Sequence, residues 1–237
     1  MDYETNLSTE RYQTTTDTTR TTTTALVRSV YMWMCTALLL TGATASFVAH
    51  TPALIDAIIS SKILFWGLLI AQFGLVWAIS SSVTRYSLST LSVLFMIYSI
   101  LTGVTFSIYF LVFTAESIAS TFFVTAGTFA VMSLYGYLTK ADLTKLGNLA
   151  FMALIGILLA SVVNFFLHSE ALYWGITYIG VLVFVGLIAY DTQKIKALAT
   201  LENNEHTQKL AICGALSLYL DFINLFLMLL RIMGRRK

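Results

Sequence analysis

Charged side chains are scarce in this sequence: Lys, Arg, Asp and Glu together make up 11% of its 237 residues, and there is a single proline. Soluble domains carry about 25% charged residues. The shortage of charge, a hydrophobic fraction of 57% and a mean hydropathy of +0.80 therefore indicate a membrane protein. The formal net charge of +2 gives no reason to expect a nucleic-acid partner.

Cysteine is rare, and clustered histidines and the common catalytic motifs are missing. Cys35 and Cys213 both lie in apolar runs and are expected to be small core residues, neither a disulfide framework nor a metal site. His50, His168 and His206 have no metal-ligand spacing between them. Since no His-Glu-x-x-His, Walker A loop, Gly-x-Ser-x-Gly elbow or dinucleotide fingerprint occurs, we expect that the protein is not an enzyme.

Long apolar runs dominate everything after the N-terminus. Residues 1–24 are Thr-rich with mixed charge, and we predict a disordered arm there. From residue 25 onward, runs of about 18–25 apolar residues alternate with short polar breaks, and each run is long enough to cross a hydrocarbon core of about 30 Å. The sequence thus predicts an all-α membrane domain over residues 25–237, with seven helices near 27–49, 62–80, 88–113, 117–139, 146–167, 172–195 and 209–232.

Lys and Arg in the breaks predict the orientation, because cytoplasmic loops carry an excess of both. A cytoplasmic N-terminus places nine of the 14 basic residues inside: Arg11, Arg20, Arg28, Arg85, Lys140, Lys145, Lys194, Lys196 and Lys209. The other five are Lys62, Arg231, Arg235, Arg236 and Lys237. The last four disagree with the rule, so the final run either crosses and leaves them outside or is re-entrant. Its length favours a full crossing.

Asp221 lies at the centre of the last apolar run, GALSLYLDFINLFLMLL. At helical spacing Gly214, Ser217, Asp221 and Asn224 share one stripe, and large apolar residues cover the remaining surface. An ionisable group at such a position costs about 2.5–3.5 kcal/mol on insertion scales. We therefore expect Asp221 to face the protein interior or a wet cavity and to have a partner.

Asp191 is the best candidate partner. It lies near the cytoplasmic end of the sixth apolar run, and a polar stretch joins that run to the seventh, so the two should form an antiparallel hairpin. Two residues reach equal depth when they are equidistant from the turn. In the sequence, the position midway between the two aspartates lies a few residues beyond the centre of the polar stretch. The two can therefore face each other only if the sixth helix continues to about Lys196 or Leu198.

Two carboxylates that meet in apolar surroundings cannot both ionise cheaply, so Asp191 and Asp221 would titrate as a unit and share a proton at low pH. Their oxygens also suit Ca²⁺, although two aspartates supply too few ligands for a tight site. The pair therefore suggests a pH-responsive pathway that binds cations weakly. An alternative stays open: Asp191 pairs with Lys194 one turn on, and Asp221 forms structural hydrogen bonds with Ser or Thr.

Several stretches resemble one family. The motifs SLYLDFINLF at residues 217–226 and AYDTQKI at residues 189–195 resemble the signature of the Bax inhibitor-1 family, also called the transmembrane Bax inhibitor motif proteins. SILTGVTFSIYF in the third run gives further support. STFFVTAGTFAVMSLYGYLTKADLTKLG, across the fourth and fifth runs, is similar to bacterial members. The resemblance covers about residues 25–232.

The resemblance implies a fold in which the last helix is central and six others surround it. It also implies that Asp191 and Asp221 match the pH-sensing pair of bacterial members, which resemble a pH-dependent calcium leak. Eukaryotic relatives act in the endoplasmic reticulum and suppress cell death. In bacterial members an arginine that ends the second helix latches onto the aspartate of the sixth, and counting back from Gly103 identifies Arg85 as its match. A plain surface arginine is the alternative for Arg85.

Two functional hypotheses follow. The first is a pH-gated calcium leak of the bacterial inner membrane, with Ca²⁺ carried past or weakly bound by Asp191 and Asp221, and with no other cofactor. The alternative is an interaction protein that modulates a membrane quality-control protease or a stress or cell-death response, through residues 1–24 and the bundle surface. An intramembrane enzyme that uses the pair as an acid/base dyad is a third and more distant reading.

Overall fold

A computed structural model describes residues 2–81, 85–199 and 204–237, with side chains from residue 25 onward. Within these ranges the chain forms eight α-helices and no strand of a sheet. In chain order they are α1 (Asp2–Ala49), α2 (Pro52–Ser60), α3 (Lys62–Ser81), α4 (Leu88–Val112), α5 (Ala115–Leu138), α6 (Thr144–Leu167), α7 (Glu170–Leu198) and α8 (Glu205–Met233).

The seven predicted membrane helices are confirmed. Seven helical stretches in the described part are long and apolar enough to span a bilayer: the Ala25–Ala49 part of α1, and α3 to α8. Helix α1 also continues through the Thr-rich segment that was predicted to be disordered. Since the side chains of residues 1–24 lie outside the described set, the division into an arm and a membrane domain stays a prediction.

The short helix α2 was not predicted, because the sequence suggested only a polar break between the first two spans. Its proline occupies the first turn, where a missing N–H costs nothing. Ile55 and Ile58 are buried against Val48 of α1 and Val104 and Ile108 of α4. At nine residues α2 is too short to cross a membrane and instead covers one end of the bundle.

Helix α8 is the most buried of the seven spans and packs against α1, α4, α5 and α7. This confirms the prediction of a central last helix and refines it, because α3 lies mainly on α4, and α6 on α7. Those two outer helices are the least buried spans. They expose large apolar side chains, such as Ile63 at 88% and Phe166 at 76%, which fits contact with lipid.

The chain after α8 shows that the last helix crosses the bundle completely. The N–H of Thr114 donates to the carbonyl of Arg235 at 3.0 Å, and the N–H of Lys237 donates to the carbonyl of Val112 at 2.9 Å. The chain end therefore lies where α4 meets α5, which we call the α4–α5 end of the bundle. The opposite end, which carries the connection 139–143, the last turn of α7 and the first turn of α8, is the α5–α6 end. The re-entrant alternative is wrong, because the hairpin of α7 and α8 extends over the whole bundle.

Candidate functional site

Two glycine contacts define how α7 and α8 align. Gly214 of α8 lies against the side chain of Ile195, and Gly180 of α7 lies against the side chain of Met228. Without a side chain, each glycine lets the facing helix come close. The two helices are antiparallel, and α7 continues to Leu198 as the predicted pairing requires.

This alignment places Asp221 opposite Leu187 and Ile188 of α7. Asp191 lies about one helical turn, or about 5 Å, nearer the α5–α6 end. Side chains on a helix lean toward its N-terminus. Because the helices are antiparallel, Asp191 leans toward the level of Asp221, and Asp221 leans toward the level of Asp191, which reduces the offset between them.

Asp221 is buried, with 5% of its surface exposed. Its carboxyl atom Oδ2 has no hydrogen-bond partner among the described residues. The register of α7 and α8 places Asp191 within about one helical turn of it, so the structure brings the two predicted residues to neighbouring levels of the same hairpin. A buried polar atom without a partner costs about 1–3 kcal/mol, and native proteins retain few of them. The hydrogen bond to Ser or Thr that the structural alternative required is absent at this oxygen.

Asp191 is half-buried, and Lys194, about one turn further along α7, is exposed. The two do not form an ion pair: the one pair within 4 Å in residues 25–81, 85–199 and 204–237 joins Lys209 to Glu205 at 2.9 Å. The predicted latch is not formed either: Arg85 is exposed in the turn before α4 and makes no ion pair with Asp191. The latch therefore stays a prediction.

Small residues let α5 and α6 press closely on α7 beside Asp191. Gly136 of α5 lies against the main chain of Ala189, and Gly147 of α6 lies under the ring of Tyr190. On the other side of α7, the hydroxyls of Tyr31 and Thr192 are 3.2 Å apart and hydrogen-bonded. Helices α1, α5 and α6 thus hold the segment that carries Asp191.

Polar contacts fix the same segment to the connection between α5 and α6. Gln193 accepts a hydrogen bond from the N–H of Leu143 at 2.9 Å and donates one to the carbonyl of Ala141 at 2.8 Å. The Nζ of Lys196 donates to the carbonyl of Tyr137 at 2.6 Å. Gln193 belongs to the motif AYDTQKI, but nothing in that pattern indicates a role for it.

A buried polar cluster anchors α8 two residues before Asp221. The hydroxyl of Tyr219 is 2.7 Å from that of Thr41, which also lies 3.0 Å from the carbonyl of Ser99 and donates to it. The ring of Tyr219 packs edge-on against Phe95 and Tyr98 of α4, with centroids 5.7 and 5.8 Å away. These contacts join α8 to α1 and α4, so both helices of the aspartate pair are firmly positioned.

Helix α3, which precedes Arg85, is held more lightly. The amide of Gln72 donates to the hydroxyl of Thr105 at 2.5 Å and to the carbonyl of Leu101 at 3.2 Å. Near its end, the thiol of Cys213 approaches the carbonyl of Ile79 at 3.6 Å. With most of its side chains exposed, α3 shares little buried area with the bundle.

The two cysteines differ from the core residues that were predicted. Cys35 is exposed on the outer face of α1, and Cys213 is half-buried. The sequence could not distinguish these positions, because an apolar residue of a membrane helix faces either lipid or protein. Among the described residues, no group of three or more His, Cys, Asp and Glu side chains could hold a metal ion.

Comparisons with known proteins agree with this architecture. The family described as "Inhibitor of apoptosis-promoting Bax1" matches residues 23–237. The inner membrane protein YbhL of Escherichia coli strain K12 is 55% identical over 211 residues, covering 88% of this chain and 90% of that protein. A protein of Borreliella burgdorferi is 43% identical over 210 residues, which cover 88% and 90%. A third relative, RP147 of Rickettsia prowazekii, is 43% identical over 211 residues, which cover 88% of each. The match extends over all seven spans, and the chain belongs to the Bax inhibitor-1 family.

Proposed function

We propose that this protein is a pH-sensitive leak for cations, calcium in particular, across a bacterial inner membrane, and that the Asp191–Asp221 pair is its proton-sensing element. The observation that supports this best is the buried Asp221, whose Oδ2 has no hydrogen-bond partner among the described residues and which lies within about one helical turn of Asp191. A group that serves only the fold would be expected to have its hydrogen bonds satisfied.

The proton supplies the switch. At low pH the pair shares a proton in a hydrogen bond between the two carboxyl groups, and α7 and α8 stay together. At higher pH both groups ionise, and their repulsion in apolar surroundings favours a second arrangement in which they separate. The two forms differ in one bound proton, so pH shifts their populations.

The movement has a preferred location. Asp191 lies on a segment held by α1, α5, α6 and the 139–143 connection, and α8 is anchored by Tyr219. Helix α3 is the least buried of the spans, and Arg85 follows it in the chain. We therefore propose that α3 shifts when the pair separates, and that this movement brings Arg85 to Asp191 as a latch.

Two carboxylates are suitable ligands for calcium, since Ca²⁺ prefers oxygen ligands in flexible geometry. Tight sites use six to eight oxygens, roughly, and two aspartates supply fewer. Weak binding is what a leak requires, because an ion must leave the pathway as readily as it enters.

The test is Ca²⁺ flux into liposomes that contain the purified protein, measured with an enclosed dye from about pH 6 to pH 8. We expect a flux that depends on pH in wild type and is flattened in Asp191→Asn and in Asp221→Asn. Asp142→Asn is the matched control. Hydrogen bonds from Thr144 hold the pKa of the Asp142 carboxyl below its usual value, so this exposed group stays ionised throughout. Wild-type flux equal to that of empty liposomes at every pH would overturn the proposal.

A further inference from the structure

A crevice opens between α1, α4, α5 and α8 close to the α4–α5 end. Its volume is about 100 Å³, and its walls are almost entirely apolar. Gly42 and Ala45 form the α1 side, Phe110 the α4 side, and Phe122 the α5 side, while Phe226 of α8 closes the back. Apolar cavities of this kind stay dry and accept apolar groups, so the natural occupant is a hydrocarbon.

The crevice opens toward the outside of the bundle. Gly42 on one rim is exposed, and a Cβ placed on it would have no atom within 4 Å. Phe122 on the opposite rim is 42% exposed. Both rims belong to membrane-spanning helices, so the mouth of the crevice meets the acyl chains of the surrounding lipid.

A basic segment is fixed beside the crevice at the depth of the lipid headgroups. The Nζ of Lys237 donates to the carbonyl of Phe110, a wall residue, at 2.8 Å. The N–H of Arg235 donates to the hydroxyl of Ser117 at 2.9 Å. The side chains of Arg235, Arg236 and Lys237 are exposed at this end. The neighbouring first turn of α5 contributes one carboxylate, Glu116, so cations are in excess.

We propose that this crevice is a binding site for one anionic phospholipid of the surrounding membrane. An acyl chain lies along Gly42 and Phe122, and Arg235, Arg236 and Lys237 bind the phosphate headgroup. An apolar slot alone would accept any lipid tail. The adjacent basic segment makes the site selective for negative headgroups, because basic residues near a membrane surface attract anionic lipids.

The site also touches the helix that carries Asp221. Phe222 and Thr41 are wall residues, and Thr41 is the hydrogen-bond partner of Tyr219. A bound acyl chain therefore adds packing between α1 and α8. Since a ligand that binds the folded form stabilises it, an anionic lipid should raise the melting temperature of the protein.

The experiment is native mass spectrometry of the delipidated full-length protein in detergent, titrated with phosphatidylglycerol or with the zwitterionic phosphatidylcholine, alongside melting temperatures. We expect one tightly bound phosphatidylglycerol in wild type, with an affinity about tenfold or more above that for phosphatidylcholine. Gly42→Leu should fill the slot and abolish both the tight binding of phosphatidylglycerol and the weaker binding of phosphatidylcholine. Gly156→Leu on α6, where a Cβ also meets open space, is the matched control and should bind as wild type does.

A second variant tests the headgroup contacts without changing the slot. Arg235→Gln, Arg236→Gln and Lys237→Gln, combined, should lose the preference for phosphatidylglycerol and keep the weaker binding of phosphatidylcholine. Equal affinity of wild type for the two lipids would overturn the proposal. So would unchanged phosphatidylglycerol binding in the combined variant, or in a Gly42→Leu protein whose helical circular dichroism is that of wild type.

Discussion

Gly136 of α5 lies directly against the main chain of Ala189 in α7, two residues before Asp191. A side chain at Gly136 would overlap the carbonyl group of Ala189, so the position of α7 beside Asp191 depends on the absence of one carbon atom. Close approach of this kind is how membrane helices compensate for the lack of a hydrophobic force between them.

Gly136→Ala should therefore destabilise the bundle. The new methyl group has no space, and overpacking of this kind costs about 1–3 kcal/mol. Gly127→Ala on the same helix is the control, because its Cβ would meet no atom within 4 Å and alanine favours the helix. The measurement is thermal unfolding in detergent. A melting temperature for Gly136→Ala as high as that of Gly127→Ala would show that α5 and α7 are not in contact here.

Tyr219→Phe should weaken the attachment of α8 to α1. The change removes the hydroxyl that lies 2.7 Å from Thr41 and keeps the ring between Phe95 and Tyr98. Interhelical hydrogen bonds in membranes contribute about 0.6 kcal/mol on average, so the loss in stability should be small but measurable. Tyr178→Phe, whose side chain is 55% exposed, is the control and should unfold as wild type does. An equal melting temperature for the two variants would argue against this hydrogen bond.

Gln193 gives a prediction that can be read at a single amide. Gln193→Ala removes the acceptor for the N–H of Leu143, so that amide should exchange with deuterium faster than in wild type. Gln193→Glu keeps an oxygen for this N–H and loses the donor to Ala141. Protection at Leu143 should therefore survive in Gln193→Glu. If Gln193→Ala leaves Leu143 as protected as in wild type, the glutamine does not hold the connection.

Run length and hydropathy were sufficient to predict the seven spans, because a bilayer imposes one helix length on every crossing. The antiparallel hairpin of α7 and α8, which brings Asp191 and Asp221 to similar depths, was also predictable, because a polar stretch joins two consecutive apolar runs. The actual offset of about one turn was not, because the turn includes residues whose conformation the pattern does not determine.

Other features depend on contacts between distant segments. Helix α2 was missed because a nine-residue segment that contains Asp56 and Ser60 can be a loop or a short helix, and only its packing against α1 and α4 decides between them. Gln193 and Tyr219 have ordinary side chains whose partners lie 50 and 178 residues away. The docking of residues 235–237 on the α4–α5 connection had no signal in the sequence beyond positive charge, which suggested a topological conflict instead of a contact.

Cysteine labelling tests the topology that these contacts imply. In a Cys35→Ser, Cys213→Ser background, single cysteines at Arg236, Glu116 and Lys140 report three positions. Because residue 236 lies beside the α4–α5 connection and residue 140 lies at the opposite end, a membrane-impermeant maleimide should label the first two from one side and the third from the other. If the N-terminus is cytoplasmic as predicted, the cysteine of Lys140→Cys should be labelled only in inverted vesicles, because these expose the cytoplasmic face. Labelling of Arg236→Cys and Lys140→Cys from one side would exclude a complete crossing by α8. A reversal of all three would leave the fold intact and overturn the predicted orientation alone.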